Sequence, residues 1–111
     1  MLKIEEKKLD DVLVLRFYGR INTESVPQVK EKVRNVVETD TAKMVFNFAG
    51  VDFIDSSGLG CLVTCLRMAV KKNGDIKISS LREHIRSIID VTRLDRLFEI
   101  YDNDAIAVQQ F

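Results

Sequence analysis

The chain has few of the residues on which most catalytic and metal chemistry depends. Its 111 residues include one histidine, two cysteines, one proline and no tryptophan. The cysteines, Cys61 and Cys65, are four residues apart rather than in a C-x-x-C pair, and no histidine is near them. Since zinc and redox sites need such clusters, we expect no metal and no cofactor. Two small buried hydrophobic side chains on one helix face account for the cysteines.

Two further absences concern partners and location. Lys plus Arg and Asp plus Glu number 17 each, so there is no net positive charge to attract nucleic acid or an anionic membrane. The longest apolar stretch, residues 59–70, is interrupted by Thr64 and Arg67 and is too short to cross a bilayer. Residues 1–8 lack the apolar core of a signal peptide. We therefore expect a cytoplasmic protein that binds neither nucleic acid nor membrane.

The residues that are present have the balance of one globular domain, which we place at residues 1–111: 46% are hydrophobic and 31% are charged. Period-two alternation predicts strands at residues 12–18, 43–48 and 75–79, a first strand at 3–9 and a short last one at 98–101. Helical spacing predicts helices at residues 23–37 and 59–72, around 85–89, and at 103–110. This order predicts an α/β fold: a mostly parallel sheet of four to five strands, with helices mainly on one face.

The most informative segment follows the second of the alternating strands, at the sheet edge where open α/β proteins bind ligands. Asp55, Ser56 and Ser57 are good N-cap residues. Gly58 and Gly60 come next, although each costs a helix about 1 kcal/mol relative to alanine. The residues alone leave two interpretations open. The segment is either a helix cap only, or a docking surface that a second backbone approaches closely.

Catalytic motifs do not fit this segment. The Gly58-Leu-Gly60 sequence lacks the third glycine of G-x-G-x-x-G, and the chain has no phosphate-binding G-x-x-x-x-G-K-[ST]. Ser56 is outside a G-x-S-x-G elbow, and His84 falls on the exposed side of its predicted helix. We therefore expect a protein that is not an enzyme. A small hydrolase with Ser56 as nucleophile is the alternative from another functional class, and it lacks a base.

Residues 53–60, Phe-Ile-Asp-Ser-Ser-Gly-Leu-Gly, resemble the phosphorylation-site signature of the anti-sigma factor antagonists, which are members of the STAS domain family. The strand that ends at Gly19 and the segment 92–102 resemble the family's early strand and closing segment, in the same order. The resemblance implies a single STAS-like domain that works by partner switching. The unphosphorylated form binds an anti-sigma factor that is also a serine kinase, which frees the sigma factor. Phosphorylation then drives the antagonist off.

The resemblance also implies site residues and partners. Ser56, the serine directly after aspartate, is the expected phosphorylation site. Our own hypothesis is that the partner binds to Asn22, Thr23, Asp55, Ser57, Gly58, Leu59 and Gly60, together with the exposed side of the following helix. The implied partners are an anti-sigma factor serine kinase and a serine phosphatase that resets the switch. The alternative with the same fold is a non-switching STAS subunit of a stress-signalling or lipid-transport complex.

Two positions depart from the family pattern. Asn22 replaces the acidic residue of the turn after the early strand, which changes the local charge. Arg93 replaces a glycine, and an arginine would be strained there if the backbone needs a positive φ.

Overall fold

In this computed structural model, which describes residues 2–111, an initial hairpin is followed by alternating helices and strands. The elements are β1 (Lys3–Leu9), β2 (Val12–Ile21), α1 (Val26–Thr39), β3 (Lys43–Ile54), α2 (Ser56–Lys71), β4 (Asp75–Ser79), α3 (Glu83–Val91), a 3₁₀ turn (Leu94–Arg96), β5 (Ile100–Tyr101) and α4 (Asp104–Gln109). The sheet order is β1-β2-β3-β4-β5. Only β1 and β2 are antiparallel, and the other neighbours are parallel. The predicted α/β fold with a mostly parallel sheet is confirmed.

The main core lies between the sheet and the first three helices. Phe17 packs edge-on against Phe46 and Phe48, with ring centroids 5.0 and 5.8 Å apart, and all three rings are buried. They are covered by buried residues of three helices: the valines of α1, Cys61, Leu62, Cys65 and Ala69 of α2, and Ile85 and Ile89 of α3. Burial of this apolar surface is the dominant favourable term in folding. Three helices thus share one face of the sheet.

The opposite face of the sheet is covered in part by α4. Val12, Val14 and Val45 form a small second cluster with Ala107 of that helix. The prediction that the helices lie mainly on one face is confirmed, because this single short helix is on the other side. None of the helices in residues 2–111 is long and apolar enough to cross a membrane.

A polar layer beside this second cluster attaches α4 to three strands. Arg16, Asn47 and Ser79 lie at matching positions across β2, β3 and β4. Asp104 Oδ1 accepts hydrogen bonds from Asn47 Nδ2 at 2.9 Å and from Ser79 Oγ at 2.6 Å, and Asp104 Oδ2 accepts one from Arg16 Nη2 at 3.1 Å. One carboxylate therefore satisfies groups from three strands at once. The sequence had not assigned a role to any of these four residues.

Several predicted element boundaries were wrong. The strand predicted at 43–48 continues to Ile54, because its second half pairs with Tyr18 to Ile21 after two register shifts. The helix predicted at 23–37 begins at Val26, since residues 22–25 form a turn. The helix predicted at 59–72 begins at Ser56.

Arg93 adopts the conformation for which the resemblance expects a glycine. Its φ is 65°, in the left-handed region, at the junction between α3 and the 3₁₀ turn. Its N–H donates to the carbonyl oxygen of Asp90 at 3.1 Å. A side chain in this region is unfavourable for any residue except glycine. The backbone therefore has a positive φ at position 93, and the arginine adopts this conformation with some strain.

Candidate functional site

Asp55 fixes the start of α2. Its backbone is extended, and its Oδ1 accepts the N–H of Gly58 at 2.9 Å, so it is the N-cap of the helix. Its own N–H donates to the carbonyl oxygen of Ile21 at 3.3 Å, which ties the helix start to the end of β2. A cap of this kind stabilises a helix by about 1 kcal/mol. The capping role that the sequence predicted for this segment belongs to Asp55.

The two glycines of the first turns differ in their surroundings. A Cβ at Gly58 would lie 2.4 Å from the carbonyl oxygen of Ile21 and 2.7 Å from Ile54 Cγ1. A Cβ at Gly60 would meet nothing within 4 Å. The close backbone approach expected at these glycines therefore occurs at Gly58, and it is made by the chain's own β2. Gly60 is exposed, and no contact inside the domain calls for its lack of a side chain.

The two serines have different environments. Ser57 Oγ is 3.1 Å from Thr23 Oγ1 and forms a hydrogen bond with it, which joins the first turn of α2 to the turn after β2. Ser56 is the first residue of α2, and it is exposed. Unpaired N–H groups and the helix dipole favour negative charge at such an end of a helix. A phosphate on Ser56 is thus compatible with the fold.

The turn after β2 is held by its own hydrogen bonds. Asn22 Oδ1 accepts the N–H groups of Glu24 and Ser25, each at 3.1 Å. Ser25 Oγ donates to the carbonyl oxygen of Arg20 at 2.8 Å and accepts the N–H of Asn22 at 3.0 Å. The oxygen of Asn22 is therefore used within the turn. Within residues 2–111, the side-chain N–H groups of Asn22 make no hydrogen bond.

The predicted site residues come together at one edge of the sheet. Asn22 and Thr23 follow β2, and residues 55–60 follow the neighbouring parallel strand β3. Leu59 lies at this edge too, but its half-buried side chain packs against the main core. Sequence reasoning did not identify a pair at the same edge: the guanidinium of Arg20 lies 4.1 Å from the ring centroid of Phe53. Their matching positions in β2 and β3 depend on the two register shifts, so no local signal predicts them.

The remaining candidate residues do not assemble a catalytic group. His84 Nε2 is 3.0 Å from the backbone carbonyl oxygen of Asp52, and it holds α3 against the end of β3 rather than facing Ser56 as a base. Cys61 and Cys65 are buried with their sulfurs 4.0 Å apart. The hydrogen bond between the two thiols, together with burial, raises the pKa of Cys65 far above its usual value. Two buried thiols of this kind have a packing role.

Comparison with known proteins places this geometry in a family. The STAS domain matches the chain over residues 3–107, which is nearly all of the described structure. The chain belongs to the STAS domain family. Within that family it is similar to the anti-sigma-B factor antagonist of Bacillus subtilis, with 26% identity over 99 residues that cover 89% of this chain and 90% of the relative.

Two solved structures extend the comparison. A putative anti-sigma factor antagonist from Thermotoga maritima superimposes with a TM-score of 0.88 at 27% identity, over 96% of this chain and 92% of that one. The Bacillus cell fate determinant SpoIIAA, solved in its phosphorylated form, has a TM-score of 0.74 at 17% identity, over 97% of this chain and 98% of that one. The second likeness shows the fold alone.

Proposed function

We propose that this STAS protein is an anti-sigma factor antagonist that works as a phosphorylation switch. Its unphosphorylated form binds an anti-sigma factor with serine kinase activity, through residues 22–23 and 55–60, and thereby releases a sigma factor. The observation that carries the proposal is the exposed Ser56 at the start of α2, beside a serine already bound to Thr23. The names of the relatives support the class of partner.

The switch follows because a phosphate on Ser56 is favourable at the solvated start of α2 but costly when it is buried against a partner. A phosphate adds a charge of about −1.5 to −2. The first-turn N–H groups of α2 favour that charge while Ser56 faces water. Burying the same charge against a partner that presents no cation is costly. Phosphorylation of Ser56 therefore weakens the complex while the domain stays folded.

The proposed role is regulatory and needs no cofactor or metal. The anti-sigma factor binds ATP and transfers its γ-phosphoryl group to the Ser56 hydroxyl, with ADP as the leaving group and the hydroxyl proton released. A serine phosphatase would return the protein to its binding form. This role places the protein in the cytoplasm with its kinase.

The test is intact-mass spectrometry after incubation with ATP and a candidate anti-sigma kinase. We expect one phosphate on the wild-type protein, none on Ser56→Ala, and one on Ser57→Ala, whose neighbouring hydroxyl is the matched control. If the phosphate is lost in Ser57→Ala but not in Ser56→Ala, the phosphorylation site is Ser57 and not Ser56. A kinase that binds the protein tightly without modifying it would favour the non-switching subunit, with Ser56 reduced to the first residue of a capped helix.

A further inference from the structure

A basic surface runs along the face that α1 and α2 share. The 16 residues of α2 include no Asp or Glu. Arg67 and Lys71, one helical turn apart, are exposed, and Lys72 follows them at the helix end. The cations of this face are Lys30, Arg34, Arg67, Lys71 and Lys72, and its acids are Glu31 and Glu38. A chain with no net charge thus concentrates positive charge on one surface.

Most of this positive charge is not neutralised within the domain. Arg34 pairs with Glu31 at 3.3 Å. Among residues 2–111, the ion pairs within 4.0 Å leave out Lys30, Arg67, Lys71 and Lys72. Lys71 and Lys72 also complement the dipole at the end of α2. That effect is confined to the last turn, so it does not account for Arg67 or for the cations on α1.

The same face contains an apolar cleft. Its volume is about 190 Å³, and it lies between α1 and α2. The half-buried side chains of Val37 and Met68 form its floor, and Arg34, Lys71 and Lys72 stand at its rim with Glu38. A cleft of this size accepts one aliphatic or aromatic side chain. The flanking cations favour carboxylates on either side of it.

We infer that this α1–α2 cleft is a second docking surface for the anti-sigma factor, and that the partner fills it with an acidic segment carrying an apolar side chain. The inference rests on the proposed function, because it names the same partner. The 16 residues of α2 span roughly 24 Å at ~1.5 Å per residue, which is within the breadth of one ordinary interface. One partner therefore reaches both Ser56 and the cleft.

An acidic protein segment fits this surface better than a nucleic acid does. The apolar floor of the cleft makes no favourable contact with a phosphate backbone, whereas it can bury a leucine or phenylalanine side chain of a protein. The inference also explains the sign of the switch. A partner that is acidic along α2 is repelled by a phosphate at the start of the same helix.

The experiment compares two double charge reversals by calorimetry, with the anti-sigma kinase used in the phosphorylation test. We expect Lys71→Glu with Lys72→Glu to weaken binding at least about tenfold at ~50 mM salt, and by only about threefold at ~500 mM, because salt screens exposed charges. Lys3→Glu with Lys7→Glu makes the same change of net charge on the exposed strand β1, and we expect it to alter the Kd less than about twofold. Circular dichroism checks the fold of both variants.

The two proposals fail in different ways. If Ser56 is phosphorylated but the Lys71/Lys72 reversal binds as well as wild type, the cleft is not a docking surface and the switch stands. If the reversal weakens binding but no phosphate appears at Ser56, the cleft stands and the switch fails. Displacement of the kinase by duplex DNA or by vesicles containing phosphatidylglycerol, at concentrations that leave the Lys71/Lys72 variant unbound, would overturn the choice of a protein segment.

Discussion

At the scale of single residues, the glycines of α2 offer a matched pair of substitutions. We expect Gly58→Ala to lower the free energy of unfolding by about 2 kcal/mol, because its Cβ would overlap the carbonyl oxygen of Ile21. Gly60→Ala should raise the same free energy by up to about 1 kcal/mol, since open space surrounds the position and alanine is the better helix former. Urea denaturation measures both. Equal effects at the two positions would contradict the close approach of α2 to β2.

The stabilised variant separates folding from docking. Gly60 is a proposed partner-binding residue, and its outward face has no other role in residues 2–111. If Gly60→Ala is more stable than wild type but binds the partner more weakly, the loss of affinity is therefore caused at the interface and not by unfolding.

How much of the site the sequence predicts depends on the distance along the chain between its parts. The candidate capping residues 55–57 are adjacent in sequence, so local propensity is enough to identify them, whereas the choice of Ser56 as the phosphorylation site came from the family resemblance. The hydrogen bond between Thr23 and Ser57 joins residues 34 positions apart. It depends on the parallel register of β2 and β3, which no local pattern encodes. The same holds for Arg20 on the ring of Phe53.

At the scale of secondary structure elements, the attachment of α4 depends on one carboxylate. We expect Asp104→Ala to lower the free energy of unfolding by about 2 kcal/mol, because Arg16, Asn47 and Ser79 all lose their acceptor. Asp104→Asn should cost less, since it keeps an oxygen for the two neutral donors and loses only the charge. Asp102→Ala is the control, an exposed aspartate two residues earlier. Thermal unfolding checks all three, and an equal loss in the control would remove the special role of Asp104.

The elements that the sequence predicted best are those with an uninterrupted pattern. The hairpin, β4 and α4 were predicted within one residue of their observed ends, apart from the longer β2. β3 was predicted too short for a physical reason. Its second half contains Gly50, where a Cβ would lie 2.4 Å from Tyr18 Cδ1, and it has two bulges, each with one extra residue relative to β2. Bulges break the alternation from which a strand is recognised.

At the scale of the whole molecule, the balance of charge hides an uneven distribution. The equal numbers of acidic and basic residues predict no net positive charge, and that inference is sound for the electrostatic field averaged over the whole molecule. It could not predict the basic face on α1 and α2, because the faces of two helices meet only when the fold brings them together. Composition constrains the class of partner, and the fold decides where the partner binds.

The switch should change the charge of the molecule rather than its shape. We expect Ser56→Glu to leave the thermal midpoint of unfolding unchanged or raised by up to about 2 °C, because an acid in the first turn of α2 complements the helix dipole. Changes in backbone amide chemical shifts should be confined to residues 20–25 and 53–60, the two segments joined at the ends of β2 and β3.

Ser57→Glu is the control for this prediction, since it adds the same charge one residue later. It removes the hydrogen bond to Thr23 Oγ1, so we expect a lower midpoint and larger shifts in the turn after β2. Shifts in Ser56→Glu that reached α4 or β5, on the far side of the sheet, would show that phosphorylation acts through a change of fold. Confined shifts together with lost binding would mean that the partner is repelled by charge at an unchanged surface.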